Sequence, residues 1–249
     1  MKTLVWDLPL RLFHWLLALS VTGALVTISL GGNWMVWHER CGLAVIGLLA
    51  FRLVWGLCGS THSRFASFFP TPARLKAYIS GNWQHQGHNP IGAFSVFALL
   101  GLMAFQAVTG LFSNDDVAFY GPLSRLVSSD TGSLLSGWHR STEELIYALL
   151  ALHILAIVVY RVRGKNLVGP MVHGKAEVPA NQADPVKGGG WIALVIALVI
   201  AGAALWFATA PGFPHRHRHP PYQPGKRKSR PPRCSEVRWL SSTQAGVIS

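Results

Sequence analysis

Charged residues are scarce in four long stretches of this chain: Trp15 to Leu57, Ile91 to Phe112, Leu145 to Tyr160 and Trp191 to Ala208. A helix of about 20 apolar residues crosses a hydrocarbon core of about 30 Å. No water is available there to satisfy backbone groups, so such runs are expected to be helical. The first stretch is long enough for two crossings and is broken at Gly31-Gly32-Asn33, a turn signal. The pattern therefore predicts an all-α membrane protein with five transmembrane helices and excludes the one or two soluble domains that 249 residues would otherwise allow.

The formal charge of +12 would suggest a nucleic-acid partner if it were spread over a soluble surface. Eight of the basic residues lie beyond Pro211, and the others cluster in loops beside the apolar runs, where membrane topology accounts for them. Membrane lipid, and not nucleic acid, is the expected surroundings. The three cysteines, Cys41, Cys58 and Cys234, form no C-x-x-C pair and no disulfide framework. The absence of C-x-x-C-H also excludes covalent c-type haem attachment by the usual motif. Lys2 and the run from Trp15 loosely resemble a leader peptide, but Asp7 and Arg11 precede the run and no A-x-A site follows it, so cleavage is not expected.

Helix one is expected from Leu8 to Leu30 and helix two from His38 to Cys58. The connector Gly59 to Asn89 mixes basic and aromatic residues, as a segment at the membrane surface would. Helix three opens at Asn89-Pro90, an N-cap followed by a first-turn proline, and ends near Phe112. Helix four ends at Tyr160, and helix five runs from Trp191 to Ala208. The organisation is then a four-helix core over residues 1–165, a polar connector over 166–190, a fifth transmembrane helix over 191–210 and a basic, proline-rich tail over 211–249 that reads as disordered.

The positive-inside rule groups Lys2, Arg11, Arg64, Arg74, Lys76, Arg161, Arg163, Lys165, Lys175 and Lys187 on one side. Arg40, Arg125 and Arg140 fall on the other, with most of the acids. This predicts a multi-pass protein of the bacterial cytoplasmic (inner) membrane with its N-terminus in the cytoplasm. Five crossings would leave the basic tail outside, against the rule. Either helix five does not cross fully, or the tail is exported regardless of its charge, or the C-terminus is atypical.

A coordinating side chain inside a membrane is costly and points to function. Four histidines qualify: His14, His38, His139 and His153. By depth they sort into two pairs, His14 with His153 near the cytoplasmic face and His38 with His139 near the outer face. The two on helix four are fourteen residues apart, which returns to within about 40° of the same face over a rise of about 21 Å. Two stacked haems would need such a spacing, each iron taking neutral imidazole from two facing helices. With both axial positions filled, electron transfer is favoured over oxygen chemistry. A single histidine near a helix end is usually interfacial; four that pair by depth across three helices are harder to explain that way. Ser141 and Glu144 form a capping box that would leave His139 in a loop, whereas a cap at Ser136 would keep it helical.

Arg11 and Arg52 lie at the depth of the cytoplasmic pair and are candidate partners of haem propionates, against the alternative of snorkelling arginines. Arg140, beside His139, is a weaker candidate of the same kind. Gln106 reads first as a buried hydrogen-bonding residue and second as part of a quinone pocket. His62, His85, His88 and His173 fall in loops and are expected to be solvated. His215, His217 and His219 in the tail form a short cluster that incidental basic composition explains as well as metal binding does.

Val5-Trp6-Asp7-Leu8-Pro9-Leu10-Arg11-Leu12-Phe13-His14-Trp15 resembles the first-helix motif of the bacterial cytochrome b561 family, which includes the cytochrome b subunits of nickel-iron hydrogenases. His38-Glu39 and Phe51-Arg52-Leu53-Val54-Trp55-Gly56 resemble its second helix, and Gly87-His88-Asn89-Pro90-Ile91-Gly92-Ala93 the start of its third. His139 and His153 match the two histidines of its fourth. The resemblance spans about residues 3 to 175 and leaves out helix five and the tail. It implies a four-helix core, two non-covalent haems b with bis-histidine ligation, and electron exchange with a quinone. The function expected is a membrane electron carrier between the quinone pool and a c-type cytochrome, dehydrogenase or hydrogenase subunit at the outer face, more than a stand-alone enzyme. A superoxide-to-quinone oxidoreductase on the same scaffold and a histidine-lined metal transporter are the alternatives.

Overall fold

The computed structural model describes residues 2–83, 87–114, 119–177 and 186–210. In chain order these form β1 (Lys2–Leu4), α1 (Leu8–Leu30), α2 (Met35–Cys58), α3 (Phe65–Phe68), α4 (Pro72–Ile79), α5 (Pro90–Leu111), α6 (Ser129–Ser141), α7 (Glu143–Val162), α8 (Val168–His173), β2 (Lys175–Glu177) and α9 (Trp191–Thr209), with short 3-10 turns between some of them. Five segments are long and apolar enough to cross a membrane: α1, residues 32–58, α5, α6 with α7, and α9. The chain is an all-α, multi-pass membrane protein.

The ends of the spans follow from local chemistry. Asp7 accepts the Leu10 amide at 2.7 Å and Pro9 occupies the first turn of α1, where no N–H partner exists. Asn89 and Pro90 do the same for α5, with Asn89 accepting the Gly92 amide at 2.7 Å. Gly31 and Gly32, at φ 62° and 54°, end α1 in the left-handed region that suits glycine and turn the chain into α2.

The fourth span differs from either start that the sequence offers. Ser128 caps α6 by accepting the Thr131 amide. The Ser136 hydroxyl is used for packing: it donates to the Asn114 and Gly132 carbonyls and accepts the Asn114 amide at 2.6 Å. The Ser141 hydroxyl bonds back to the Trp138 carbonyl. His139 is therefore helical, in the last turn of α6, and the helix breaks after it at Thr142. Tertiary bonds to the Asn114 loop extend the helix backwards past both candidate caps.

The spans alternate in direction. At one end, called here the first end, the start of α1 meets the end of α2, the start of α5 meets the end of α7, and the start of α9 lies beside the end of α2. Asp7 bonds Ser60 and Ser63, Asn89 donates to the Tyr160 hydroxyl at 2.9 Å, and Thr61 bonds Lys187 through its amide at 2.8 Å. β1 pairs antiparallel with β2, Lys2 opposite Glu177, and the amides of Val5 and Trp6 reach the Gly174 carbonyl. The segment read as a polar connector thus contains α8 and β2, which tie the chain after α7 to the N-terminus. α9 runs antiparallel to α2 and packs closely on it: at Gly47 a Cβ would lie 2.8 Å from the Leu205 side chain, and Ala197 is fully buried.

Of the most apolar window in each span, 39% is buried in the second against 6% in the fourth, so α2 is the centre of the bundle and α7 its edge. Val21, Val45, Leu49, Met103 and Ile146 form a mid-depth core from α1, α2, α5 and α7. A second core at the first end joins Val5, Trp6, Leu10, Phe13, Phe51, Trp55 and Ala197.

Candidate haem sites

At the second end, the rings of His38 on α2 and His139 on α6 face each other with centroids 6.0 Å apart and planes at 88°. A metal–imidazole nitrogen bond is about 2 Å, and that nitrogen lies about 1 Å from its ring centre, so two rings on opposite faces of one ion have centres about 6 Å apart. His38 Nδ1 lies 2.9 Å from the Ala24 carbonyl of α1, and His139 Nδ1 lies 2.9 Å from the Gln106 carbonyl of α5. A carbonyl can only accept, so in each ring Nδ1 carries the proton and Nε2 keeps its lone pair. Such bonds fix the orientation of a ligating imidazole and raise its basicity.

The neighbours of these rings are built for them. At Gly110 a Cβ would stand 3.0 Å from His139 Cε1 and 3.3 Å from Nδ1, so glycine there makes room for the ring. Gly23 lets α1 approach α2 at Cys41, where a Cβ would lie 2.9 Å from the sulfur, and this close crossing brings the Ala24 carbonyl to His38. Gln106 bridges the break after α6: its Nε2 donates to the His139 carbonyl at 2.8 Å, and its Oε1 accepts from the Thr142 hydroxyl at 2.6 Å. Of its two sequence readings, the buried hydrogen-bonding residue is the one this geometry matches.

The first end holds His14 on α1 and His153 on α7, within electrostatic range of each other. His14 stands edge-on to Trp15, and its Nδ1 is enclosed with no hydrogen-bond partner among the described residues. Arg52 is only 2% exposed; it donates to the Ser63 carbonyl at 3.0 Å and stacks over Phe65 at 4.4 Å. Asp7 lies within electrostatic range of Arg52 and accepts from Trp55 Nε1 at 3.1 Å, from Ser63 at 2.6 Å and from Ser60. Arg11 is directed elsewhere, to the Val172 carbonyl at 2.5 Å, so it caps the last turn of α8. Arg140 is exposed.

Two histidines depart from the solvated placement expected of them. His62 is 8% exposed. His88 lies between Trp6 and Phe68, both at 4.6 Å between ring centroids, with Nδ1 enclosed. Burial, reinforced by nearby Arg52, His14 and His62, pushes His88 down to about 3, so the ring is neutral at pH 7. Loop position misleads because α3 and the turn at Gly87 fold the connector inward over the first end. His173 is exposed, as expected. His85, His215, His217 and His219 lie outside the described residues. Asp7, which sequence reading used against a leader peptide and within the first-helix motif, is the hub of the first end; its N-cap position before Leu8-Pro9 was the available signal.

The residues present fit haem. Paired imidazoles stand at the spacing of one ion, with Nε2 free, on helices held apart. The extensive helix contacts are α1 with α2, α2 with α5 and α9, and α5 with α6 and α7. The pairs that carry the histidines, α1 with α7 and α2 with α6, are not among them. Among the described residues no group of three or more His, Cys, Asp or Glu could hold a metal ion.

Comparison with known proteins agrees. The family profile for prokaryotic cytochrome b561 matches residues 5–174. The chain is 23% identical over 210 residues to the "Probable Ni/Fe-hydrogenase 1 B-type cytochrome subunit" of Escherichia coli strain K12, covering 68% of this chain and 88% of that one. It is 24% identical over 216 residues to the "Probable Ni/Fe-hydrogenase B-type cytochrome subunit" of Cupriavidus necator, covering 69% and 86%. The similarly named protein of Azotobacter vinelandii is 29% identical over 139 residues, covering 43% and 57%. No solved structure matches the chain significantly.

Proposed function

The chain belongs to the prokaryotic cytochrome b561 family, and from that premise we propose that it carries electrons across the bacterial inner membrane, between a hydrogenase at the outer face and the quinone pool, through two haems b. His38 and His139 hold one haem, and His14 and His153 hold the other. The observation that carries this reading is the 6.0 Å separation of the His38 and His139 rings, with both Nδ1 atoms committed to carbonyls. When bound, haem b supplies a one-electron couple between ferric and ferrous iron.

The protein's own groups do the rest. The Ala24 and Gln106 carbonyls hold two imidazoles in the tautomer that presents Nε2. Two imidazoles per iron leave no open coordination position, which supports electron transfer over oxidase chemistry. The mid-depth core of Val21, Val45, Leu49, Met103 and Ile146 lies between the two histidine levels and excludes water there. The basic residues clustered at the first end support a cytoplasmic N-terminus. That orientation puts His38 and His139 at the outer face and makes the first end the quinone side. The printed names of the relatives favour a hydrogenase over a c-type cytochrome as partner.

Haem stoichiometry tests the reading. Pyridine haemochrome assay of the purified chain should give two b haems per polypeptide, all released by acid-acetone. One haem per chain, or haem that resists extraction, would overturn it.

A further inference from the structure

We propose that His88, with Arg52, forms the propionate-binding corner of the first-end haem, a role that rests on the assignment of that haem to His14 and His153. The first observation is the placement of His88. Gly87, at φ 86°, turns the chain where a Cβ would lie 3.5 Å from the Trp6 indole and 3.7 Å from His62 Cβ. Asn89 then caps α5 and bonds Tyr160, so the backbone on both sides of His88 is fixed. The ring itself is clamped between Trp6 and Phe68.

The second observation is what the clamp leaves unsatisfied. His88 Nδ1 is enclosed and has no hydrogen-bond partner among the described residues. Leaving a buried polar atom in that state is costly, and a ligand group that bonds it removes the cost. Arg52 lies within electrostatic range of His88, and so does His14. A neutral ring carrying its proton on Nδ1 is a donor, and Arg52 adds a buried cation with four further N–H groups beyond the one given to Ser63.

The third observation removes the obvious internal acceptor. Asp7 is the nearby carboxylate, and its two oxygens already accept from Leu10, Trp55, Ser60 and Ser63. With that tautomer the corner offers one neutral donor and one cation, walled by Trp6, Phe13, Phe65 and Phe68, and among the described residues its one carboxylate, Asp7, is already engaged. A carboxylate satisfies both groups, and charge-assisted bonds to it are the strong kind. Haem b brings carboxylates to the site. His88 is thus a positioning residue: it meets the periphery of the group that His14 and His153 hold and is not an iron ligand.

The test uses the full-length protein loaded with haem labelled with 13C at the propionate carboxyls. The readouts are redox titration and redox-difference infrared spectra of wild type, His88→Gln and His88→Leu. Glutamine keeps an N–H donor; leucine keeps bulk and removes it. The expected result for His88→Leu is a lower midpoint potential for the first-end haem alone, because an unscreened propionate favours ferric iron. The 13C-sensitive carboxylate bands should move with it, and His88→Gln should restore both toward wild type. Equal effects of the two substitutions, or unmoved carboxylate bands in His88→Leu, would overturn the proposal. If His88→Leu does not accumulate, His88→Ala, which also removes the donor, takes its place with the same expected shift, and unmoved carboxylate bands there overturn the proposal. A free anion in the corner would leave the 13C-sensitive bands unmoved, and that outcome also overturns the proposal. His14→Ala and His153→Ala titrated alongside separate the two levels: if they do not remove one common haem, the ligand assignment fails first.

Discussion

The two histidine pairs lie in one bundle but are held in different ways. At the second end, both rings are oriented by backbone carbonyls of a neighbouring helix, Ala24 on α1 for His38 and Gln106 on α5 for His139. At the first end, His14 Nδ1 has no such acceptor among the described residues, and the polar groups around it converge on Asp7, a side chain. The second end is preorganised by main-chain carbonyls, which close approach at Gly23 and Gly110 brings to the rings. The first end is preorganised by a side-chain network and completed by what binds there. Sequence changes should therefore disturb the first end more easily than the second.

Asp7→Ala gives the largest expected effect. It strips the N-cap of α1, the acceptor for Trp55, Ser60 and Ser63, and the counter-charge of a buried arginine. Leaving the donors of a part-buried carboxylate without their acceptor costs about 1–3 kcal/mol each. Thermal melting of the purified protein should fall accordingly, with the first-end haem lost before the other. A melting curve like that of wild type would break the comparison. Gln106→Leu should act on the opposite end. It leaves the Thr142 hydroxyl and the His139 carbonyl without their partner, at a cost of about 1–3 kcal/mol. The Gln106 main-chain carbonyl still orients His139, so both haems should remain while the second-end potential shifts. Gly110→Ala should be the mildest. Its methyl group must displace the His139 ring by a few tenths of an ångström. A cost of about 1 kcal/mol is expected, visible as a changed low-temperature EPR signal of the second-end haem with the first-end signal unmoved.

The same contrast explains what was legible in the sequence. Spans set by apolar length, and for α5 by an Asn-Pro cap, read directly: α1 over Leu8–Leu30 and α5 from Pro90 match, and so does α9 from Trp191. His38 and His139, which helix period and topology place at one depth, stand with ring centroids 6.0 Å apart. The start of the fourth span was not, because Ser136 bonds to Asn114, 22 residues away, and no local rule contains that contact. His88 and His62 were misplaced for a related reason. A polar connector is normally solvated, and only the tertiary clamp of Trp6 and Phe68 covers the His88 ring. The pairing of β1 with β2 joins residues more than 170 positions apart, which no sequence period encodes.

Redox titration of the four single variants His14→Ala, His38→Ala, His139→Ala and His153→Ala tests the central claim most directly. His38→Ala and His139→Ala should remove one and the same component of the reduced spectrum, and His14→Ala and His153→Ala should remove the other. Loss of a common component in His14→Ala and His38→Ala would contradict the pairing, and with it the path across the membrane.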